Sequence, residues 1–395
     1  MIRNLRHFNV KNKRVLVRAD FNVPLDKKGN ILDDFRIKQT LPTIEYLLKK
    51  GAKLILMSHL GKPEGKVVES LKLTPVQEKL KEYLGLPIAK TDDCVGKKTE
   101  DRVLGMEPGE ILLLENLRFY KEEEESANAE NFAKKLAKLG QIYINDAFGA
   151  CHRPHASIVG VPKYLPSGTG LLLEKEIKIL SQVLKRPWRP LVAIIGGAKI
   201  SSKIKVIEKF LERADHLLLA GKIANAVLST KGILLGKPIS EPEVVKKVEK
   251  IDLTCSKLHL PVDVLVSLAD LETGLKEGYF RQAGPGQVRR DEAAYDIGPE
   301  TVRIFSKIIK TAKMIFWSGP SGMFEEQKFE KGTKEIAQSI ARNHLAFKIA
   351  GGGDTALALN KFGLIDKFDH ISTGGGAMLS FLGGEELPGL KALEK

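Results

Sequence analysis

Leu191-Val-Ala-Ile-Ile-Gly-Gly-Ala-Lys199 decides how this chain is read. Five apolar residues without polar alternation form a strand buried on both faces, and such strands belong to parallel sheets covered by helices. Two glycines then break the run, and Ser202–Ala214 carries a helical period. The same strand, break and helix recur along the chain. Apolar runs lie at Arg14–Val17, Lys53–Met57, Ile111–Leu114 and Ile142–Ile144, then at His216–Ala220, Val262–Val266, Met314–Trp317 and Ala346–Ala350. Thr74–Leu84, Ala127–Leu139 and Thr301–Thr311 supply further crossover helices. The expected fold is α/β: two doubly wound, parallel-sheet (Rossmann-like) domains. Leu171–Leu184 reads as a helix joining them, and the Glu122–Glu125 run as the exposed first turn of a helix.

In doubly wound sheets ligands bind beyond the carboxyl ends of the strands, so the residues after each run carry the function. The two halves differ there. Arg18-Ala-Asp20-Phe-Asn22, Ser58-His59-Leu-Gly61-Lys62, Glu115-Asn-Leu-Arg118 and Asn145 to Arg153 follow the first-half strands, and these are charged side chains suited to a compact polyanion. Gly196-Gly-Ala-Lys199, Ala220-Gly221-Lys222, Ser318-Gly-Pro-Ser-Gly322, Gly351-Gly-Gly-Asp354-Thr355 and Thr373-Gly-Gly-Gly376 follow the second-half strands. Glycines let backbone N–H groups and helix N-termini approach phosphate oxygens. Every Gly-Gly dipeptide lies beyond residue 195. Phosphoryl transfer between a small anion and a nucleotide follows.

Composition narrows the classes. The 395 residues are 43% hydrophobic and 28% charged, with a net charge of +14, which fits two globular domains and excludes disordered and fibrous proteins. Lysines are scattered among glutamates without interleaved aromatics, so a solvated surface explains the charge better than a nucleic-acid-binding one. Three separated cysteines form neither a disulfide framework nor a four-thiolate metal site. With no uncharged run of spanning length and no leader-like apolar segment, a cytoplasmic location is expected.

None of the five Gly-Lys pairs is followed by Ser or Thr, which excludes a P-loop. Gly351–Ala356 matches a relaxed dinucleotide fingerprint, but Asp354 occupies its middle and no ribose-binding acid follows. Asp354 has two readings: a carboxylate for a magnesium ion riding on phosphates, or a helix cap. Lys199 and Lys203, four residues apart, suit two points of a polyphosphate on one helical face, or are solvated lysines. Arg18 and Asp20 either face the ligand or form a buried pair. For His59 and His152 hydrogen bonding is preferred to general-base work, because a carboxylate or phosphate acceptor is already ionised. Cys151 reads as a packing residue.

Val15-Leu-Val-Arg18-Ala-Asp20-Phe-Asn22-Val-Pro24, Ser58 to Pro63, Glu115 to Tyr120, Gly196 to Lys199, Gly319 to Gly322, Gly351 to Thr355 and Ser372 to Ala377 together resemble the phosphoglycerate kinase family over the whole chain. The resemblance implies reversible phosphoryl transfer between 1,3-bisphosphoglycerate and ADP, giving 3-phosphoglycerate and Mg-ATP, in a two-lobed monomer with no membrane or specific nucleic-acid partner. It implies that Asp20, Phe21, Asn22, Arg36, His59, Leu60, Gly61, Lys62, Arg118 and Arg153 bind the triose substrate. Arg36 and Lys199 would act on the group in flight, and Gly374 and Gly375, at a helix N-terminus, would point at it. Lys203, Glu325, Gly351, Gly352, Gly353, Asp354 and Thr355 would bind the nucleotide, with Asp354 on Mg²⁺. The implied domains are 1–168 for the triose substrate, a hinge helix at 169–184, 185–372 for the nucleotide, and a 373–395 segment returning to the first domain, with hinge bending obligatory. The chain departs from the family pattern at Lys62 (usually Arg), Ser318 (usually Asn), Ala220-Gly221-Lys222 and Met378–Ser380. Three of these fall on the nucleotide side, and the expectation is altered nucleotide handling with Lys222 as an extra phosphate contact.

Overall fold

The structure is a computed structural model describing residues 2–125, 129–234, 236, 242–249, 251–252, 254–268 and 279–394. It divides into two compact units, one of residues 1–178 with 386–395 and the other of 179–385.

The first unit is built on six parallel strands: β1 (Arg14–Arg18), β2 (Lys53–Met57), β3 (Ile88–Lys90), β4 (Ile111–Leu113), β5 (Ile142–Asn145) and β6 (Ser167–Thr169), in spatial order β3-β4-β2-β1-β5-β6. Val15, Val17, Leu54, Leu56, Leu113 and Ile144 pack with Ile37, Ile44 and Leu47 of helix Phe35–Lys49 and with Val76 and Leu80 of helix Thr74–Leu84. The alternate residues Leu16, Ile55, Leu112 and Tyr143 are equally buried, so both sheet faces are covered. That is why the runs show no alternation. The chain winds from β1 toward β2 on one side and reaches β5 on the other, so the crevice of this unit lies beyond the ends of β1 and β5.

The second unit repeats the plan with β7 (Leu191–Ile195), β8 (His216–Leu219), β9 (Leu258–His259), β13 (Met314–Ser318), β14 (Phe347–Gly351) and β15 (His370–Ser372), ordered β15-β14-β13-β7-β8-β9. Its crevice lies beyond β7 and β13, which pair in parallel. A separate antiparallel sheet holds β10 (Val264–Leu268) between β11 (Arg281–Ala283) and β12 (Glu292–Ile297).

That sheet corrects one expectation. The Val262–Val266 run starts two residues late and is the centre of the small antiparallel sheet, not a strand of the main one. Its burial alternates in part, with Val264 and Val266 inside and Leu265 and Leu268 half-buried. A short apolar run does not by itself reveal which sheet it joins. Asp263 also ties it down, accepting hydrogen bonds from the backbone N–H groups of Glu300 and Thr301 at the start of helix Pro299–Thr311.

Helix Leu171–Lys185 contains the division between the units, after Lys178. The sequence reading puts the return to the first unit at residue 373, whereas the structure assigns 373–385 to the second unit. Helix Gly375–Leu382 follows β15, and Lys205 pairs with Glu385 just beyond it. Only from Glu386 does the chain join the first unit, where Gly389 donates to the Cys151 carbonyl at 2.9 Å and Ile2 bridges Glu394. Among the described residues no helix is long and apolar enough to cross a membrane.

Candidate ligand sites

In the first unit β1 ends on Arg18, whose side chain is fully buried. Of the two readings of Arg18 and Asp20, the buried pair between them is not formed. Arg18 instead faces Glu123 at 3.9 Å and donates to Ser157 Oγ at 2.9 Å and to the Ala19 carbonyl, with its third nitrogen 3.1 Å from His59 Nδ1. Glu123 is itself fully buried and accepts from the Ser157 N–H at 2.9 Å and hydroxyl at 2.6 Å. Burial pushes its carboxyl up from the usual range, opposed by Arg18 and the Ser157 bonds. The Glu122–Glu125 run is therefore not a helix's exposed first turn: it overlaps a 3₁₀ turn, Lys121–Glu123, and helix Ala129–Leu139 begins later.

Around this pair the other charged groups assemble. Arg36, in the first turn of its helix, reaches Asp20 at 3.3 Å and the Asn22 carbonyl at 2.9 Å. Asn22 Oδ1 accepts from the Gly61 N–H at 2.8 Å, and Arg118 donates to the Gly61 carbonyl at 2.8 Å. Arg153 Nε lies 3.2 Å from His152 Nε2. Burial and the surrounding arginines depress His59 and hold His155 down to about 3, so both imidazoles are neutral and the 4.0 Å approach of His59 to Asp20 is not an ion pair. His152 is also depressed, chiefly by burial. Asp20, Asn22, Arg36, His59, Gly61 and Arg118 are thus linked in one crevice, and Arg153 joins them through Glu124, 3.7 Å from Arg153 and 3.0 Å from Arg118. Phe21 and Leu60 are core side chains with only backbone to offer, and Lys62 is exposed. Sequence reasoning missed Glu123, Glu124 and His155; the acidic run was their visible trace.

In the second unit the walls are backbone. Gly196 donates to the Ser318 carbonyl at 2.9 Å and Gly197 to that of Pro320 at 2.8 Å, which laces the loop after β7 to the loop after β13. Gly197 (φ +86°), Gly319 (φ +92°) and Gly352 (φ +100°) have left-handed backbones that suit glycine, and side chains at Gly196 or Gly319 would strike backbone carbonyls 2.2 Å away. A side chain at Gly375 would touch Gly352 Cα at 3.4 Å, and one at Gly221 the Gly197 nitrogen at 2.8 Å. Five glycine turns therefore converge, carrying the N-termini of helices Gly221–Thr230, Gly353–Lys361 and Gly375–Leu382.

Lys199 and Lys203 do not share a helical face. Helix Ile204–Arg213 begins after both; Lys199 is exposed in the preceding turn, whereas Lys203 is buried with its ammonium on the Gly196 carbonyl. Burial lowers Lys203 to about 8, partly offset by the Asp354 charge. Asp354 is exposed two residues inside a helix whose N-cap is Gly352, so the capping reading fails. Thr355 is buried, its hydroxyl accepting from the Gly319 N–H at 2.7 Å and donating to the Gly351 carbonyl at 3.0 Å. Glu325 and Lys222 are exposed, the latter in the first turn of its helix. Met378 is fully buried against Gly351, where a side chain would lie 2.1 Å from its sulfur, so this departure is a packing change rather than a ligand contact. No group of three His, Cys, Asp or Glu suited to a metal occurs among the described residues.

Two doubly wound sheets with these crevices define a two-unit α/β protein equipped for phosphorylated ligands. The phosphoglycerate kinase family model matches residues 5–385. The chain is 47% identical to the phosphoglycerate kinase of Borrelia garinii, with both chains wholly covered, and 45% identical to that of Dictyoglomus turgidum, covering 100% of this chain and 98% of the relative. Among solved structures it resembles phosphoglycerate kinase from Coxiella burnetii (TM-score 0.84, 37% identity, covering 100% and 99% of the two chains) and from Pyrococcus horikoshii (0.86, 35%, 100% and 98%). The chain belongs to the phosphoglycerate kinase family.

Proposed function

We propose that the chain is a phosphotransferase that reversibly moves a phosphoryl group between the acyl phosphate of 1,3-bisphosphoglycerate and ADP, giving 3-phosphoglycerate and ATP. The observation that carries this reading is the pairing of an arginine-lined crevice in one doubly wound unit with a glycine-walled, lysine-bearing crevice in the other. In the forward direction the ADP oxygen attacks phosphorus in line and the acyl carboxylate leaves; in reverse that carboxylate attacks, and needs no base. Catalysis is then positioning and charge neutralisation.

In this reading residues 1–168 form the triose-substrate domain and 185–372 the nucleotide domain, joined by a hinge at 169–184. Arg36, Arg118 and Arg153 grip the triose anion, with Asp20, Asn22 and neutral His59 orienting its polar groups and Gly61 and Lys62 at the rim. Lys199, exposed and free to swing, neutralises the group in flight together with Arg36 and the N–H groups at Gly374 and Gly375. Lys203 and Gly351–Gly353 hold the nucleotide phosphates and Glu325 the ribose. The Thr355 hydroxyl is already engaged within the fold, so its backbone N–H makes the contact. Asp354 suits Mg²⁺, which is commonly held by one or two carboxylates plus phosphate oxygens; bound there, the ion supplies charge neutralisation. A cytoplasmic monomer fits this assignment.

A coupled assay with 3-phosphoglycerate and Mg-ATP is the test: turnover is expected with these two substrates, and none with either alone or with glycerate as acceptor. Lys222, exposed beside the convergent glycine turns, adds a phosphate contact in this reading. Lys222→Ala is expected to raise KM for ADP and GDP alike by about twofold, and unchanged values would remove Lys222 from the site.

A further inference from the structure

Lys121-Glu-Glu-Glu-Glu125 places two successive glutamates in opposite roles. Glu123 is locked inside by Arg18 and Ser157. Its neighbour Glu124 is partly exposed, and Oε1 of its carboxylate lies 3.0 Å from Arg118, 3.7 Å from Arg153 and 3.6 Å from His155 Nε2. Arg118 and Arg153 come from separate segments and converge on that one oxygen. Arg118 is 5% exposed and its Nε is buried without a hydrogen-bond partner, so its charge is compensated chiefly through the terminal nitrogen that meets Glu124. His155 is neutral and adds a dipole, not a charge.

Two guanidiniums closing on one carboxylate oxygen is how an arginine pair receives an anionic ligand. Here the anion belongs to the protein. We propose that Glu124 is a resident anion in the substrate crevice, an internal competitor that the ligand's own anionic group displaces from Arg118 and Arg153. This rests on the reading that those arginines hold the triose substrate. The anchored Glu123 fixes the backbone one residue away, so the Glu124 side chain leaves by rotation without moving the turn. While seated, it keeps both arginines aimed and compensated. Its cost is affinity, because every anion that uses this pair must first break the same contact.

The experiment measures binding of 3-phosphoglycerate and, separately, of inorganic sulfate to the full chain by titration calorimetry without nucleotide. Glu124→Gln is expected to bind both more tightly, by about two- to fivefold and by a similar factor, the scale of a partly exposed ion pair. A gain in affinity is not what structural damage produces. Arg153→Gln is the companion and weakens both ligands. If Arg153→Gln weakens binding while Glu124→Gln binds no tighter, the resident-anion proposal is overturned and the substrate-site reading stands. If Arg153→Gln leaves both affinities unchanged, the substrate-site reading fails and the proposal with it. Glu124→Ala repeats the test should the glutamine variant fail to fold.

Discussion

The two crevices lie at the switch points of two six-stranded parallel sheets that differ in strand order, and they are made of opposite material. Beyond β1 and β5 the first unit gathers Arg18, Arg36, Arg118 and Arg153 around Asp20, Glu123 and Glu124. Beyond β7 and β13 the second gathers glycine turns and the buried ammonium of Lys203. Side-chain walls are specific but must be held in a compensated network, since buried charge without a partner is costly. Backbone walls need no such network; they need chain crossings so close that a Cβ does not fit. Under the proposed function, the side-chain wall serves the small triose anion and the backbone wall the nucleotide's phosphate chain.

The largest expected effect separates exposed Lys199 from its buried neighbour Lys203. Lys199→Ala is expected to lower kcat by about 10³-fold while ADP affinity stays within about twofold; stopped-flow turnover beside an ADP titration checks this, and near-normal turnover would remove its role. Next, the side-chain network is tested where it is deepest. Glu123→Gln leaves Arg18 buried and uncompensated, and urea unfolding should show a loss of about 3 kcal/mol. A loss below 1 kcal/mol would mean that the ion pair is not what holds this wall.

The backbone wall has its own probe. Gly319→Ala puts a Cβ 2.2 Å from the Gly196 carbonyl at φ +92°, and a loss of about 2 kcal/mol or more is expected. Gly29, in the first unit, has a similar φ of +84° but open space around it, so Gly29→Ala should cost only about 1 kcal/mol. Equal losses would show that strain alone, not the close crossing, sets the cost.

The smallest effect is the pH dependence of the buried ammonium. Lys203 is held near 8 in the folded chain against 10.5 when free, so it loses charge as pH rises through 8. ADP affinity, measured without metal, should fall about tenfold from pH 7 to pH 9, a dependence that Lys203→Met abolishes. For stability the sign is opposite. Between about 8 and 10.5 the unfolded chain holds a proton that the folded chain lacks, so this group's destabilisation is complete below 8 and is relieved as pH rises through that window.

Most main-sheet strands were legible because burial on both faces leaves an unbroken apolar run, as at Lys53–Met57 and Leu191–Ile195. Edge strands such as Ile88–Lys90 and His370–Ser372 were not, being three residues long with no pattern to read. In the first crevice, the residue types after each strand pointed to Asp20, Asn22, His59, Arg118 and Arg153. The partner of Arg18 stayed invisible because Glu123 is over a hundred residues away, in an acidic run that looks solvated. Lys203 misled for a related reason: spacing implies a helix, but the glycine turn delays its start and the side chain turns inward.

The sequence by itself determined the strand-and-helix plan and the contrast between charged residues after the first-half strands and glycines after the second-half strands, because hydrophobic period and the absence of a side chain are local properties. Tertiary structure alone decided which carboxylate compensates which arginine, which lysine is free, and that Val264–Leu268 leaves the main sheet. Those outcomes depend on desolvation and on contacts between distant segments, and neither leaves a mark on neighbouring residues in the chain.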